Sequence, residues 1–169
     1  MSRAVLAMGS NVGDRFYHLS SVVRALGPRL IEVSPVFENP AFGPIPQEPF
    51  LNAVAAARDD TAGPADWLHF AARMEQAAGR VRELRWGPRS LDVDVITVYH
   101  QGKQVRSDDP WLRLPHPRAR ERACVLLPWA HICPDDELPG YGQVSQLLAA
   151  LPQPERDSMV ERADLRWQL

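Results

Sequence analysis

Residues 80–94, Arg-Val-Arg-Glu-Leu-Arg-Trp-Gly-Pro-Arg-Ser-Leu-Asp-Val-Asp, gather four arginines, an indole and two alternating aspartates into fifteen consecutive positions. No packing requirement explains that mixture. Arginine carries a permanent charge and a planar fork of donors that matches phosphate oxygens. Paired aspartates suit Mg²⁺, which is usually held by one or two carboxylates together with the phosphates of a bound nucleotide. The stretch reads as a site for a metal-bound polyphosphate, and the rest of the chain must supply the acceptor.

The aspartates need a strand to aim them. Residues 91–99 alternate as a half-buried strand does, so Asp92 and Asp94 share one face about 6–7 Å apart along the backbone, while Val93 and Val95 point into the core. Carboxylates so placed can share a pair of metals. Upstream, residues 3–8 form a short buried strand stopped by Gly9-Ser10-Asn11, which is either a phosphate cradle or, as preferred here, a tight turn into a helix. Asp14 is the expected N-cap of that helix, with Phe16, Leu19, Val23 and Leu26 at helical spacing and Gly27-Pro28 at its end. Residues 30–38 read as one further strand with Ile31, Val33 and Phe37 on its inner side.

Four prolines between Asn39 and Pro49 rule out a helix or central strand there, leaving a long loop that is either a binding loop or a stiff connection. Residues 50–57 resume strand character, and Phe50 and Asn52 fall on the same side. A ring beside an amide is either core packing or the means to hold a flat heterocycle. A second helix begins at Pro64, with Trp67, Phe70, Ala71, Met74 and Ala78 as its stripe and Glu75 on the flank, where a carboxylate reaches solvent or a ligand. Residues 101–104 turn into a short return strand, residues 111–117 are extended, and residues 123–132 form a helix interrupted by Pro128. A further helix over 144–151 and a terminal strand or tail over 159–167 complete the chain.

A length of 169 residues fits one domain with a single core, residues 1–169. The net charge of −2 argues against a nucleic-acid or membrane-surface binder, so the central arginines are a local concentration. Cys124 and Cys133 match no zinc or redox spacing and are expected as free thiols. Without a signal-peptide layout or a membrane-length apolar run, the expected location is the cytoplasm. The element order implies an α+β fold: a ferredoxin-like βαββαβ core whose mostly antiparallel sheet carries helices on one face, with extra C-terminal elements. Phe50, Asn52, Asp92 and Asp94 then share the opposite face, expected to be open.

These residues resemble one family, the 6-hydroxymethyl-7,8-dihydropterin pyrophosphokinases of folate biosynthesis. The resemblance runs through Gly9-Ser10-Asn11, Phe50-Leu51-Asn52, Glu75, Arg80-Val81-Arg82, Arg85-Trp86-Gly87-Pro88-Arg89 with Asp92 and Asp94, and Pro115-His116-Pro117-Arg118 to Arg122, reaching about Pro134. It implies transfer of pyrophosphate from ATP to the pterin's hydroxymethyl group, with AMP released. It further implies that Asp92 and Asp94 hold two Mg²⁺ ions and that Arg82, Arg85 and Arg89 serve catalysis. Glu75, Arg113, His116 and Arg122, with Arg82 and Arg89, would bind ATP. Asn39, Pro40, Phe42, Phe50, Asn52, Trp86 and Cys124 would surround the pterin, and the Arg82–Arg85 segment with the proline loop would close as lids. The implied partners are ATP and the pterin, without nucleic acid or membrane, acting on a monomer.

Several positions depart from the family's pattern as read here. Cys124 stands where an aromatic ring usually completes the pterin sandwich, Phe50 replaces a tyrosine and Asn39 a threonine, and Trp111 and Arg113 replace a basic and a small hydroxyl residue. A weakly active or inactive pterin- or nucleotide-binding paralogue is the alternative that these departures leave.

Overall fold

The computed structural model describes residues 1–79 and 87–169. Four strands and two helices form the expected core: β1 (Ser2–Ser10), α1 (Arg15–Leu26), β2 (Leu30–Val33), then, after the short β3 (Phe37–Asn39), β4 (Phe50–Asp59), α2 (Pro64–Ala77) and β5 (Asp92–His100). β1 lies between β4 and β5 and β2 pairs with β4, all antiparallel, which gives the ferredoxin-like order. β6 (Lys103–Gln104) extends the β5 edge. β7 (Ser107–Asp109) and β8 (Leu112–Leu114) make a separate hairpin. The remainder comprises α3 (Ala123–Ile132), the paired β9 (Glu137–Leu138) and β10 (Gly142–Gln143), α4 (Val144–Ala150), α5 (Gln153–Asp157) and β11 (Val160–Glu161).

Local chemistry sets the element ends. The Asp14 carboxylate accepts from the Tyr17 N–H at 3.0 Å as the expected N-cap, and Gly27 leaves the helix at φ +52°. At α2 the roles are reversed: Asp66, in the first turn, accepts from the N–H of the N-cap residue Gly63 at 2.7 Å. The strand expected over 30–38 is broken in two. Pro35 has no N–H to give the ladder, Ser34 turns its hydroxyl to the Val54 N–H, and Ile31 is exposed where an inner position was expected. The interruption expected at Pro128 is absent: α3 continues through it, because Val125, Leu126, Pro128 and Trp129 are all buried and packing outweighs one lost helical hydrogen bond.

The sheet has a different partner on each face. Leu6, Met8, Ala53, Ala55, Val93 and Val95 pack under α1 and α2 in the larger core, each buried Leu or Val contributing about 1.5–3 kcal/mol. Val5, Ala7, Val54 and Ile96 point the other way and pack against Leu126 and Trp129 of α3 and Val144 of α4. That second face was expected to be open; the C-terminal helices cover its middle and leave, among the described residues, the end where Gly9, Asn52 and Asp92 pair across three strands. No helix among the described residues is long and apolar enough to cross a membrane.

Candidate active site

At that uncovered end lies a cleft of about 560 Å³, lined from the sheet by Phe50, Asn52, Asp92 and Asp94. Strand periodicity accounts for their meeting: Asn52 and Asp92 flank Gly9, and Asp94 lies beside Ala7 two residues further along the same face. Glycine at position 9 leaves room for the Asn52 amide, since a Cβ there would stand 2.8 Å from Asn52 Oδ1 and displace it. The proline loop contributes Asn39, Phe42 and Gln47 to the lining, and residues 116–125 contribute His116, Arg118, Arg122 and Cys124.

The amide end of the cleft is already organised. Asn39 and Asn52 are buried, and the Asn52 amide donates to Asn39 Oδ1. Asn39 in turn donates to the Pro40 carbonyl at 3.1 Å. Phe42 is exposed at the rim, and Pro40 stands outside the lining.

The charged end is held by Asn11, which the sequence offers as part of a tight Gly-Ser-Asn turn without a site role of its own. Asn11 is 2% exposed; its Oδ1 accepts from the Arg89 N–H at 2.7 Å, and its own N–H donates to the Arg89 carbonyl at 2.9 Å. Its amide nitrogen donates to Gln47 Oε1 at 2.8 Å and to the Glu48 carbonyl at 3.0 Å. One side chain thus ties the proline loop to the arginine, whose Nε lies 3.8 Å from Asp92 Oδ1. Glu75 reaches the strand from α2, where its carboxylate accepts from the Val93 N–H at 2.9 Å, between the two aspartates.

His116 lies where two clefts meet. With Asp94 and Pro117 it borders both the first cleft and a second of about 320 Å³, which is also lined by Glu75, Trp111 and Arg113. Its backbone N–H donates to the Ile96 carbonyl at 2.8 Å, and its ring Nδ1 accepts from the Arg118 backbone N–H at 3.3 Å. Burial first, then the charges of Arg122 and Arg118, lower its pKa to about 4. The ring is therefore neutral near pH 7, with Nε2 as the donor. Burial also raises the Cys124 thiol to about 11, opposed by Arg122 and reinforced by Asp94. Cys124 and Cys133 are free thiols.

One cleft thus brings together Asn39, Phe42, Phe50, Asn52, Arg89, Asp92, Asp94, His116, Arg122 and Cys124, while Glu75 and Arg113 face the adjoining one. Arg82, Arg85 and Trp86, with the lid assigned to them, lie outside the described residues. Among the described residues no group of three or more His, Cys, Asp or Glu could hold a metal on protein ligands alone. Two carboxylates on one strand face fit Mg²⁺ that draws its remaining oxygens from phosphates and water.

The family model for 7,8-dihydro-6-hydroxymethylpterin-pyrophosphokinase (HPPK) matches residues 5–134. The chain belongs to this HPPK family. Curated relatives extend the likeness: it is 46% identical over 167 residues to the 2-amino-4-hydroxy-6-hydroxymethyldihydropteridine pyrophosphokinase of Mycobacterium tuberculosis strain H37Rv, covering 94% of this chain and 89% of that one. The corresponding protein of Pseudomonas aeruginosa is 38% identical over 156 residues, covering 90% and 93%. The crystal structure of wild-type Plasmodium falciparum HPPK-DHPS matches with a TM-score of 0.63 at 13% identity, covering 88% of this chain and 40% of that longer one. At that identity the likeness is one of fold. The HPPK match ends at Pro134, so α4, α5 and β11 lie beyond it.

Proposed function

We propose that this chain transfers pyrophosphate from ATP to the hydroxymethyl group of 6-hydroxymethyl-7,8-dihydropterin and releases AMP, a reaction of folate biosynthesis. The observation that carries the reading is the continuity of one sheet face: Phe50 and Asn52 line the same cleft as Asp92 and Asp94. A flat heterocycle held by the first pair would carry its hydroxymethyl group toward a polyphosphate held by the second.

The residues divide the work. Phe50 offers a ring face, and the linked Asn39 and Asn52 amides offer donors and acceptors for the heterocycle's edge. Phe42 and Cys124 bound that end, Pro40 acts through its carbonyl, which accepts from the Asn39 amide, and Trp86 is assigned to it from sequence alone. Arg89 and Arg122 draw the polyphosphate into the cleft, joined by Arg82 and Arg85 on the same sequence grounds. Glu75, Arg113 and His116 serve the nucleoside side, where neutral His116 donates from Nε2 without adding charge. Asp92 and Asp94 would hold Mg²⁺, assigned as two ions; when bound, Mg²⁺ neutralises the polyphosphate and orients it.

The pterin oxygen attacks the β-phosphorus as the bond to the α-phosphate oxygen breaks, and AMP leaves. Such transfers need little covalent help from protein, so positioning and charge dominate. This fits a site without an activated nucleophile: Cys124, the thiol in the cleft, is held protonated by burial. The reading takes residues 1–169 as one domain, working as a monomer in the cytoplasm.

The test is the nucleotide product formed with Mg·ATP and 6-hydroxymethyl-7,8-dihydropterin. Pterin-dependent AMP is expected; ADP, or no turnover, would overturn the reading.

A further inference from the structure

The cleft is completed by residues outside the family match. Glu155, Ser158 and Met159 line it together with Phe50, Asn52 and Cys124, yet they lie more than twenty residues beyond Pro134. Two anchors bring them there. At one end the Glu155 carboxylate accepts from the Ala123 N–H at 3.1 Å, at the start of α3 beside Cys124, and the Ser158 hydroxyl closes the turn by donating to the Glu155 carbonyl at 2.6 Å. At the other end β11 pairs with β3, placing Val160 opposite Glu38, next to Asn39. Arg162 reinforces that pairing by donating to Glu38 Oε2 at 3.1 Å, and the Trp167 indole donates to the Ser34 carbonyl at 2.8 Å.

Met159 is thus fastened between the residue before Cys124 and the strand that carries Asn39. Its neighbour Val160 is exposed on the edge strand, whereas Met159 is partly buried in the cleft wall. Cys124 is short, and its thiol is neutral and unavailable as a charged ligand. A thioether in the same cleft wall supplies the apolar, polarizable surface that a flat ring favours, and its three rotatable bonds let it adjust to the ring.

We infer that Met159 is a specificity-determining contact for the pterin, closing the acceptor end of the cleft beside Cys124 from a segment that the family match does not include. The inference rests on the proposed reaction. Glu155, Ser158 and the β11 pairing act as positioning elements that hold the thioether in the wall. Recognition of the acceptor is then shared between the sheet face, which bears Phe50 and the amides, and the C-terminal segment.

The experiment compares wild type, Met159→Ala and Met159→Leu by steady-state kinetics in both substrates. Loss of the thioether contact is expected to raise the KM for the pterin about three- to tenfold while the KM for ATP changes less than twofold, and leucine is expected to restore most of the loss. Should the alanine variant fold poorly, peroxide oxidation of the wild type answers the same question: bound 6-hydroxymethylpterin should slow sulfoxide formation at Met159, followed by peptide mass spectrometry, and Mg·ATP alone should not. An unchanged pterin KM in folded Met159→Ala, or oxidation of Met159 indifferent to the pterin, would overturn the inference while leaving the reaction standing. Absence of pterin-dependent AMP from the wild type would instead remove the reaction on which it rests.

Discussion

On one face of the sheet Met8, Ala53, Val93 and Val95 close against α1 and α2, while at the same strand ends the other face presents Gly9, Asn52, Asp92 and Asp94 to a cleft. Adjacent residues of a single strand therefore serve different purposes: Val93 is 5% exposed in the core, and the carboxylates on either side of it border the cleft. A period of two separates stability from chemistry without separating them in sequence. Changes on the two faces should then fail in different ways.

The largest effect is expected from Asp94→Ala. Turnover should fall on the order of 10²–10³-fold or more, because one of the two carboxylates that would hold Mg²⁺ against the polyphosphate is lost. The thermal midpoint should move little, and both are read from AMP formation and a melting curve. The opposite signature is expected from Leu6→Ala on the core face. It should lose about 2–5 kcal/mol in urea unfolding while the fraction that remains folded keeps near-normal turnover. If the two variants gave the same signature, the division between faces would be refuted.

Asn11→Ala sharpens the comparison, since Asn11 lies in the strand-to-helix turn and reaches both the proline loop and Arg89. Removing the side chain that links the Arg89 backbone to the proline loop lets both drift from their places beside the cleft, so kcat/KM should fall at least about tenfold for both substrates. A loss confined to ATP would show that the coupling to the loop has no consequence.

A smaller effect concerns acid. The folded-state pKa of His116, about 4, lies below the ordinary 6.5, so the unfolded chain takes up its proton first as pH falls. Stability from this residue is fully present above pH 6.5 and is lost as pH falls through about 4. His116→Gln should flatten the dependence of the urea midpoint on pH across that window, and an unchanged slope would argue against a buried neutral ring. The smallest effect is chemical: Cys124, with its thiol pushed up to about 11, should resist alkylation at pH 7.5 in the folded enzyme. Rapid labelling would show a thiolate where burial predicts none.

How much of this was legible in the sequence depended on the range of the interaction. Alternation over 91–99 placed Asp92 and Asp94 on one face, and Asp14, Gly27 and Pro64 marked helix ends, because these features depend on neighbours a few residues apart. The break at Pro35 carried a signal in the proline itself, which the surrounding alternation of Ile31, Val33 and Phe37 masked. The helix through Pro128 was misread for the reverse reason, since the proline was visible and the burial that overrides it was not. Asn11 holds Arg89 across 78 positions, and Met159 reaches the cleft because Glu155 caps the Ala123 N–H and β11 adds to β3. No periodicity reveals either placement. The covered middle of the second face belongs with them, being a consequence of where α3 and α4 fold back.

The central claim is that an acceptor bound at Phe50 and Asn52 meets a polyphosphate bound at Asp92 and Asp94. Phosphorus NMR of the completed reaction tests it most directly. The account predicts that both the β- and γ-phosphorus of ATP are recovered as a coupled pair on the pterin, with AMP as the remaining nucleotide. A pterin carrying a single phosphorus, or ATP converted to ADP and inorganic phosphate with the pterin unchanged, would contradict it.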